Sequence, residues 1–475
     1  MTVLTETNVL RAIAAPPPRF RPAAPEPIER DPTLWQLMTT EAGRNPLRAV
    51  TKRAFEVPYS RVSALNFVFH GVSDPDAIKH VFVDNAANYR RPRIVHRILR
   101  PVIGEGLFTA EGDPWRTQRR LMAPAFLPSA VAAFAPLFAE AAAQAARRLA
   151  DASRLGDGEV VDMAQETMRA TLAIIDGALF SGQTDLSFDE TSQLVRAFMG
   201  GSTEITLGLM MGLAFLDAAP RQRRARAARR VLISRMAAFI HRRADEPEPP
   251  DDFVTRLYKA FLAEHPRDEA VQLTLDNAMT FFVAGHETTA NGLAWALYLL
   301  SGDPQAQAWA REEARAAWAD AGNDPAALLE RLPYLRMVWE ETLRLYPPVH
   351  GVDREALADD EVCGHRVKKG ETVTVWPWVL HRHKRLWHEP ELFNPENFDP
   401  EAKVGRHRFQ YLPFGAGPRI CIGQGFAQAE ALILLSRWVA EFSFAPAPGH
   451  AVQPQADFSL RPQGGMPLTV RRLPG

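Results

Sequence analysis

The part of the chain that decides its fold lies near the C-terminus, where residues 414–423 read FGAGPRICIG. The cysteine of this stretch, Cys421, follows a glycine-rich turn and stands just before an amphipathic run at 425–442. A cysteine near a helix N-terminus lies where the helix dipole favours the thiolate over the thiol. The glycines have no Cβ, so the backbone can turn sharply and approach a large flat ligand. The pattern therefore predicts a thiolate in a tight backbone cradle, which suits axial ligation of heme iron.

The same ten residues resemble the cysteine loop of the heme-thiolate monooxygenases, the cytochrome P-450 superfamily, at every fixed position of the family's pattern. The resemblance implies heme b (iron protoporphyrin IX) as the cofactor and Cys421 as its axial thiolate ligand. It also implies cofactor contacts from the rest of the loop, at Phe414, Gly415, Arg419 and Gly423. The competing interpretation is a buried structural cysteine in a turn that precedes a helix.

Composition and charge are those of a soluble globular protein: 475 residues, of which 46% are hydrophobic and 23% charged. The net charge of −1 argues against nucleic acid as the main partner, because no basic excess is available to neutralise phosphates. Two cysteines, Cys363 and Cys421, do not make a disulfide framework, which favours a cytoplasmic protein. The N-terminus carries no apolar stretch long enough for a signal or an anchor. We expect a monomer without a membrane span.

Most of the chain has the apolar spacing of three and four residues that is typical of helices. The clearest Ala-rich runs are 129–150, 218–243 and 303–320. Strand patterns are few, and they occur at 61–69, 371–376 and within 456–470. The predicted fold is mainly α with small β-sheets (α+β).

The domain organisation follows from where the periodicity begins and where it is absent. Residues 1–32 are rich in Pro, Ala and Arg, which predicts a flexible leader. Residues 33–475 show no repeat, long linker or shift of composition, so we predict one large helical domain there. Within it, residues 390–414 contain Pro, Asn and Gly without periodicity and indicate an irregular meander.

The apolar stretch Met279 to Leu300 is about as long as a membrane span. His286 and Glu287 fall near its middle, and a charge at the centre of a span costs about 2.5–3.5 kcal/mol. The stretch therefore predicts a long helix through the core of a soluble protein, with its polar residues facing a cavity.

A second motif lies inside this predicted helix, where residues 284–289 read AGHETT. Thr and Glu side chains bond to backbone groups and can open the helical ladder into a groove for a diatomic ligand and water. The motif resembles the family's oxygen-binding helix. That resemblance implies that Ala284 contacts the cofactor, that Thr288 stabilises partly reduced dioxygen and that Glu287 relays protons. The alternative is a polar kink that is satisfied internally.

A third motif is the pair Glu341 and Arg344, which share one face of a helix predicted at 333–345. The pair resembles the family's Glu-x-x-Arg element, which implies a buried ion pair with a structural role behind the heme. The family usually adds an arginine from the meander, in a Pro-Glu-Arg-Phe element. Here residues 395–398 read PENF, so Asn397 stands in its place. This departure concerns the anchoring of the meander and not the heme chemistry.

A fourth motif places Trp115 and Arg119 four residues apart, on one helix face, where both can donate to carboxylates. The family uses this spacing to bind the heme propionates, and by the same resemblance Arg354 is a further partner beside Arg419. The alternative for Trp115 is an ordinary core tryptophan.

Residues 90–120 hold eight arginines against three acids, and this positive charge would steer an acidic electron donor.

The four motifs occur in the family's order over 34–471, and the resemblance implies a monooxygenase that inserts one oxygen atom of O2 into a C–H bond of a lipophilic small molecule. Electrons are expected from a separate ferredoxin or flavodoxin with an NAD(P)H reductase. The candidates for an apolar substrate pocket are residues 93–108, 195–215, 349–352, Phe281, Phe282, Ala284 and Phe458.

Other functions remain open at this point. A heme-thiolate sensor needs no proton relay, and a peroxide-driven peroxygenase or an isomerase on the same scaffold tends to lose the acid–alcohol pair. The pair Glu287 and Thr288 argues against both. A zinc site at His381, His383 and His388 lacks a nearby cysteine and a regular ligand spacing.

Overall fold

The computed structural model describes residues 19–474 except 34–35, 37–39, 65–66, 153–157, 185–187, 189, 192, 195–219 and 323. The helices of this part of the chain are α1 (Glu41–Arg44), α2 (Pro75–Lys79), α3 (Arg93–Ile103), α4 (Gly112–Met122), α5 (Pro128–Ala132), α6 (Ala135–Ala152), α7 (Met163–Phe180), α8 (Pro220–Asp245), α9 (Phe253–Leu262), α10 (Arg267–Gly302), α11 (Pro304–Ala321), α12 (Pro333–Leu345), α13 (Pro377–Leu380) and α14 (Gln424–Glu441). The strands are β1 (Tyr59–Ala64), β2 (Phe67–Val72), β3 (Tyr89–Arg90), β4 (Glu159–Asp162), β5 (Val352–Ala356), β6 (Asp360–Val362), β7 (His365–Val367), β8 (Thr372–Val375), β9 (Phe442–Pro446), β10 (Pro454–Ala456), β11 (Leu460–Pro462) and β12 (Pro467–Arg472).

The sheets are small, and the mainly helical prediction is confirmed. One sheet has the strand order β1-β2-β8-β5-β3, a second has β4-β12-β9, and two hairpins pair β6 with β7 and β10 with β11. The single strand predicted at 61–69 is wrong, because this stretch contributes to two antiparallel strands in which Ala64 lies opposite Phe67. The predicted helix at 129–150 is likewise divided into α5 and α6. Periodicity alone did not reveal either break.

Local side-chain chemistry explains several helix starts. Asp252 precedes α9, and its carboxylate accepts a hydrogen bond from Thr255 N at 2.9 Å. Asp303 precedes α11 in the same way, with Ala306 N as the donor at 2.9 Å. These caps satisfy backbone N–H groups that have no partner within the helix.

The core is organised around α10, a helix of 36 residues. Its second half is fully enclosed: Leu293, Trp295 and Leu299 have no exposed surface. Gly292 permits close packing with α12, because a Cβ at this position would lie 2.5 Å from the ring of Trp339. The prediction that the apolar stretch forms a long core helix is therefore confirmed.

A different segment passes a length-and-composition test for a membrane span. Among the described residues it is one helical stretch, Pro128–Asp151. Buried core helices can pass the same test, and Phe138, Ala142 and Ala145 of this stretch are enclosed by protein.

The first described residues do not behave as a free leader. Phe20 O accepts from Phe393 N at 2.9 Å, and the Phe20 ring occupies the space beside Gly302. Ala23 N donates to Tyr298 Oη at 3.1 Å, and Ala23 O accepts from Tyr346 Oη at 2.6 Å. The predicted leader at 1–32 is therefore wrong for residues 20–23, which are bonded to the helical body. The short apolar residues among the prolines were the missed signal.

The pair Glu341–Arg344 is fully buried, as its resemblance implied. Arg344 donates from Nε and Nη2 to the two carboxylate oxygens of Glu341, both at 2.7 Å. Its remaining N–H groups reach the carbonyl oxygens of His381, Pro390 and Leu392 at 2.7–2.9 Å. A guanidinium has five N–H donors, so this side chain is fully satisfied.

The meander is anchored although it lacks the family's arginine at 397. Asn397 Nδ2 lies 3.3 Å from each carboxylate oxygen of Glu341, and Asn394 N donates to the same carboxylate at 2.8 Å. A guanidinium is supplied from elsewhere in the meander: Arg406 donates to the carbonyl of Asn397 and lies 5.0 Å from the ring centre of Phe398. An amide and a displaced arginine together occupy the place of the missing partner.

Removing the carboxylate of this pair should destabilise the whole domain. Glu341→Ala leaves Arg344 charged and enclosed, which costs about 3–5 kcal/mol for a buried pair. Asp359→Ala is the matched control, because its partner Arg366 is 72% exposed and an exposed pair contributes about 1 kcal/mol or less. Urea unfolding followed by circular dichroism measures both losses, and equal losses would contradict the structural role of the buried pair.

Candidate active site

The cysteine loop, residues 414–423, is a tight backbone turn that leads into α14. Gly415 and Gly417 have φ of +74° and +69°, a region that glycine adopts without strain. A Cβ on Gly417 would also lie 1.8 Å from the carbonyl oxygen of Phe82. The glycine at 417 is therefore required twice, by its conformation and by the approach of a neighbouring segment.

Cys421 is open on one side and enclosed by protein on the others. Its N–H donates to Phe414 O at 3.0 Å, and Gly423 N–H bonds to its sulfur. The sequence analysis expected Gly423 to permit a sharp backbone turn. Its φ of −85° is one that any residue can adopt, so this expectation is wrong for Gly423. Burial raises the pKa of the Cys421 thiol, whereas the Gly423 bond and the Arg119 charge oppose this shift. A metal ion bound to the sulfur would deprotonate the thiol.

Helix α4 brings Trp115 and Arg119 to the cysteine loop. The guanidinium of Arg419 lies 4.2 Å from the ring centre of Trp115, and Arg119 interacts electrostatically with Cys421. Arg119 is half-buried, and this burial lowers the pKa of its guanidinium. Among the described residues, no carboxylate forms an ion pair with it. The predicted grouping of these three residues is present in the structure.

Arg354 joins this group from strand β5. It is buried, and its guanidinium lies 4.6 Å from the ring centre of Phe82 and donates to Asp353 O at 2.9 Å. Burial lowers the pKa of Arg354 to about 10, and the nearby charge of Arg419 adds to the shift. Arg419 itself donates to Ala110 O at 2.8 Å and to the carboxylate of Glu111.

A further arginine, Arg91, belongs to the same group and was missed in the sequence. Its Nε is buried and lacks a hydrogen-bond partner in the described part of the chain. Burial lowers the pKa of Arg91 to about 9, and repulsion from Arg354 and Arg419 contributes. The only signal was the arginine-rich run 90–120, which does not indicate which member turns inward.

The guanidinium groups of Arg91, Arg354 and Arg419 outnumber the carboxylates beside them. Glu111 pairs with Arg419, and Asp353 lies behind Arg354. An unpaired buried cation is costly, so the excess of positive charge fits a ligand that carries two carboxylates. The propionates of heme b meet this requirement, and the open side of Cys421 fits its iron.

Helix α10 exposes a short strip in the middle of its buried length. Ala284 is exposed and Thr288 is half-exposed, while His286 and Glu287 are buried. Thr288 Oγ1 donates to Ala284 O at 2.8 Å, and the helix continues without interruption. Two expectations are corrected here: the helix is not broken at the motif, and its ionisable residues do not face an open cavity.

Gly285 has a packing reason rather than a role in opening the helix, since a Cβ there would lie 2.7 Å from Ile175 Cδ1 on α7. Glu287 turns toward the hairpin β10–β11, where its Oε1 accepts from Ser459 Oγ at 2.6 Å. Burial raises the pKa of the Glu287 carboxyl. Its other oxygen, Oε2, has no partner within the described residues.

The pocket predictions have mixed outcomes. Residues 93–103 form helix α3 rather than a loop. Phe282 is buried against Phe180 and does not line an open space, whereas Phe281 and Phe458 are half-buried and Val349 is 42% exposed. The predicted segment 195–215 lies entirely outside the described residues.

The three histidines considered for zinc serve other purposes. His381 is buried and accepts from Leu412 N at 2.8 Å, and burial lowers its pKa to about 3. His383 bonds to Val57 O at 3.2 Å, and His388 is 90% exposed. Across the described part of the chain, no cluster of three metal-ligating side chains is present.

A sulfur with one open side, next to guanidinium groups that outnumber their carboxylates, matches an anionic macrocycle that carries iron. The fold and the site therefore define a heme-thiolate protein. The chain belongs to the cytochrome P-450 family, because the family model described as Cytochrome P-450 matches residues 25–469. It is a monooxygenase that binds heme through the thiolate of Cys421.

Named relatives agree with this assignment. The chain is 31% identical to Protein LUTEIN DEFICIENT 5, chloroplastic, of Arabidopsis thaliana over 90% of this chain and 76% of the relative. It is 31% identical to Cytokinin hydroxylase of the same plant over 78% and 72%. It is 30% identical to Cyclooctatin synthase of Streptomyces melanosporofaciens over 81% and 83%.

Solved structures support the fold. The crystal structure of the cytochrome P-450DA heme domain has a TM-score of 0.78 at 22% identity and covers 96% of this chain and 99% of that one. A second cytochrome P-450 crystal structure has a TM-score of 0.77 at 26% identity, with coverage of 95% and 100%.

Of the two cysteines, only Cys421 is expected to bind the iron. Cys421→Ser should abolish the thiolate-type absorption spectrum of the reduced, CO-bound protein, because a serine hydroxyl is a poor donor to iron. Cys363→Ser is the matched control: burial raises the pKa of this thiol to about 11, and it lies between β6 and β7. Loss of the spectrum in the Cys363 variant alone would contradict the assignment.

Proposed function

We propose that this monooxygenase hydroxylates a lipophilic small molecule by inserting one atom of O2 into a C–H bond, with electrons from a separate donor protein. The observation that carries the proposal is the strip at Ala284 and Thr288, which opens beside a buried acid, Glu287. An acid and an alcohol next to an open surface are what proton delivery to bound dioxygen requires. The name of one relative, Cytokinin hydroxylase, is consistent with hydroxylation.

The bound cofactor supplies the electron transfer and the activation of O2. The chain's own residues would hold it in place: Arg91, Arg354, Arg419, Trp115 and Arg119 would bind its propionates through charge-assisted hydrogen bonds. Four of these donors come from β5, α4 and the cysteine loop. The bonds that Arg354 and Arg419 make to Asp353 O, Ala110 O and Glu111 would be shared or exchanged on binding.

Proton delivery is assigned to Glu287 and Thr288. Because burial raises the pKa of Glu287, its carboxyl can hold a transferable proton near neutral pH. The Thr288 hydroxyl donates to the Ala284 carbonyl and can turn from it toward a ligand on the open strip. The acid thereby holds the proton, and the alcohol orients it.

The substrate class follows from the apolar side chains that remain accessible. Val349 is 42% exposed, and Phe281 and Phe458 are half-buried. Burying such surface against a ligand yields about 25 cal/mol per Å2 of apolar area, which favours a lipophilic molecule.

Both cysteines are free thiols, and this supports a reducing, cytoplasmic setting.

Thr288→Ala should uncouple oxygen consumption from product formation. Losing one hydrogen bond of about 1 kcal/mol shifts the partition toward peroxide about fivefold, while heme and substrate binding persist. Product formed per reduced nicotinamide is the quantity to measure. Thr280→Ala is the matched control, since that hydroxyl makes the same bond on α10, to Asp276 O at 2.8 Å.

Equal coupling in the Thr288 and Thr280 variants would contradict the role of Thr288. If peroxide alone sustained wild-type turnover in place of electrons and O2, a peroxygenase would be the better description. Both outcomes are read from the same assay.

The electron donor is proposed to be an acidic ferredoxin or flavodoxin, reduced by an NAD(P)H reductase, that docks near α4. Arg116 and Arg120 on this helix are 69% and 67% exposed. Each also pairs with a carboxylate, Asp113 and Glu264 respectively, which moderates the positive field. Exposed charges of this kind raise association rates more than final affinity.

Arg120→Glu should slow reduction by an acidic donor about threefold or more at low salt, because it reverses an attractive charge. The defect should shrink as salt screens charges beyond about 8 Å. Stopped-flow reduction across a salt series measures it. Arg366→Glu is the matched control, since Arg366 is 72% exposed and paired with Asp359 on a different element. A wild-type rate that does not depend on salt would exclude steering.

A further inference from the structure

The hairpin β10–β11 is bonded to the central helix through its turn. Ser459 in this turn is fully buried, and its Oγ donates to Glu287 Oε1 at 2.6 Å. The same Oγ accepts from Asn291 Nδ2 at 2.9 Å. One helical turn further, Trp295 Nε1 donates to Leu460 O at 3.1 Å. Residues 287, 291 and 295 are four apart, so one face of α10 holds the whole turn.

The direction of each hydrogen bond restricts the serine hydroxyl. Asn291 occupies one lone pair of Ser459 Oγ as a donor, so the serine proton has to point elsewhere. It points to Glu287 Oε1 at a short distance of 2.6 Å. Asn291 therefore sets the orientation of Ser459, and Ser459 in turn acts on one oxygen of Glu287.

The two oxygens of Glu287 are consequently unlike each other. Oε1 receives a hydrogen bond, which suits the carbonyl oxygen of a neutral carboxyl. Oε2 is buried and has no partner among the residues described, which leaves it as the oxygen that carries the proton. Asp457 and Arg461 are the charged groups of the hairpin that act on Glu287, and they pair with each other at 2.6 Å.

We propose that Ser459, oriented by Asn291, is a positioning residue for the proton donor of the reaction: it keeps Oε1 of Glu287 as an acceptor and leaves the transferable proton on Oε2. The inference rests on the proposed role of Glu287. In the transfer, the O–H bond at Oε2 breaks, a new O–H bond forms on the acceptor, and the carboxylate that results is stabilised by the Ser459 hydrogen bond. No electron moves in this step.

Ser459→Ala removes the donor and tests the proposal in two ways. In the infrared spectrum of the resting protein, the neutral carboxyl band that disappears in Glu287→Gln should move to higher wavenumber, because its carbonyl loses a hydrogen bond. In turnover, kcat should fall about tenfold with an increased solvent isotope effect, while KM is unchanged. Ser436→Ala is the control, since Ser436 is fully buried and bonded to Ile433 O at 2.9 Å on α14.

The outcomes separate this inference from the function on which it rests. If Glu287→Gln lowers kcat but Ser459→Ala matches wild type in band position and isotope effect, Ser459 is only structural. If Glu287→Gln leaves kcat unchanged, the proposed role of Glu287 fails, whatever the infrared band does. If Ser459→Ala does not fold, Asn291→Ala decides, because it frees the serine hydroxyl and should shift the same band; an unmoved band overturns the inference.

Discussion

The structure depends on keeping one charged side chain, Arg344, inside the protein. A guanidinium survives there only when each of its N–H groups has an acceptor. Glu341 takes two, and the other acceptors are backbone carbonyls at 381, 390 and 392. These carbonyls belong to the segment that leads to the cysteine loop, so solvating one buried charge fixes the path of the backbone toward Cys421. The position of the metal ligand thus follows from an electrostatic demand on another helix.

The features that could be predicted from the sequence are those encoded within a few neighbouring residues. The cysteine loop, the Glu341–Arg344 pair and the long core helix need only local spacing, and the structure contains all three. Ser459 could not be found, because its partners Glu287 and Asn291 lie more than a hundred residues away in the chain. Arg91 could not be singled out, because the guanidinium groups of Arg354 and Arg419 beside it come from equally distant parts of the chain. Asn397 was seen as a gap for a different reason: its neighbour Arg406 is only nine residues away, but the meander between them has no periodicity from which their contact could be predicted.

The residues proposed to bind the heme propionates carry a free-energy cost that the fold alone does not remove. Arg91, Arg354 and Arg419 repel one another, which contributes to the lowered pKa of Arg91 and of Arg354. A ligand that supplies the missing negative charge binds the native state and not the unfolded chain. Such linkage is worth about 4 kcal/mol when the ligand is at a thousand times its Kd. A change that weakens cofactor binding should therefore also lower the thermal stability of this protein.

The contacts of residues 19–23 constrain when this segment can dock during synthesis of the chain. Arg19 pairs with Glu389, 370 residues later, and Phe20 bonds to Phe393. During synthesis this segment leaves the ribosome well before Glu389 and Phe393 are made. At about 5–20 residues per second, the interval is on the order of tens of seconds. Residues 19–20 therefore cannot form these contacts until the segment around residues 389–393 has been synthesised.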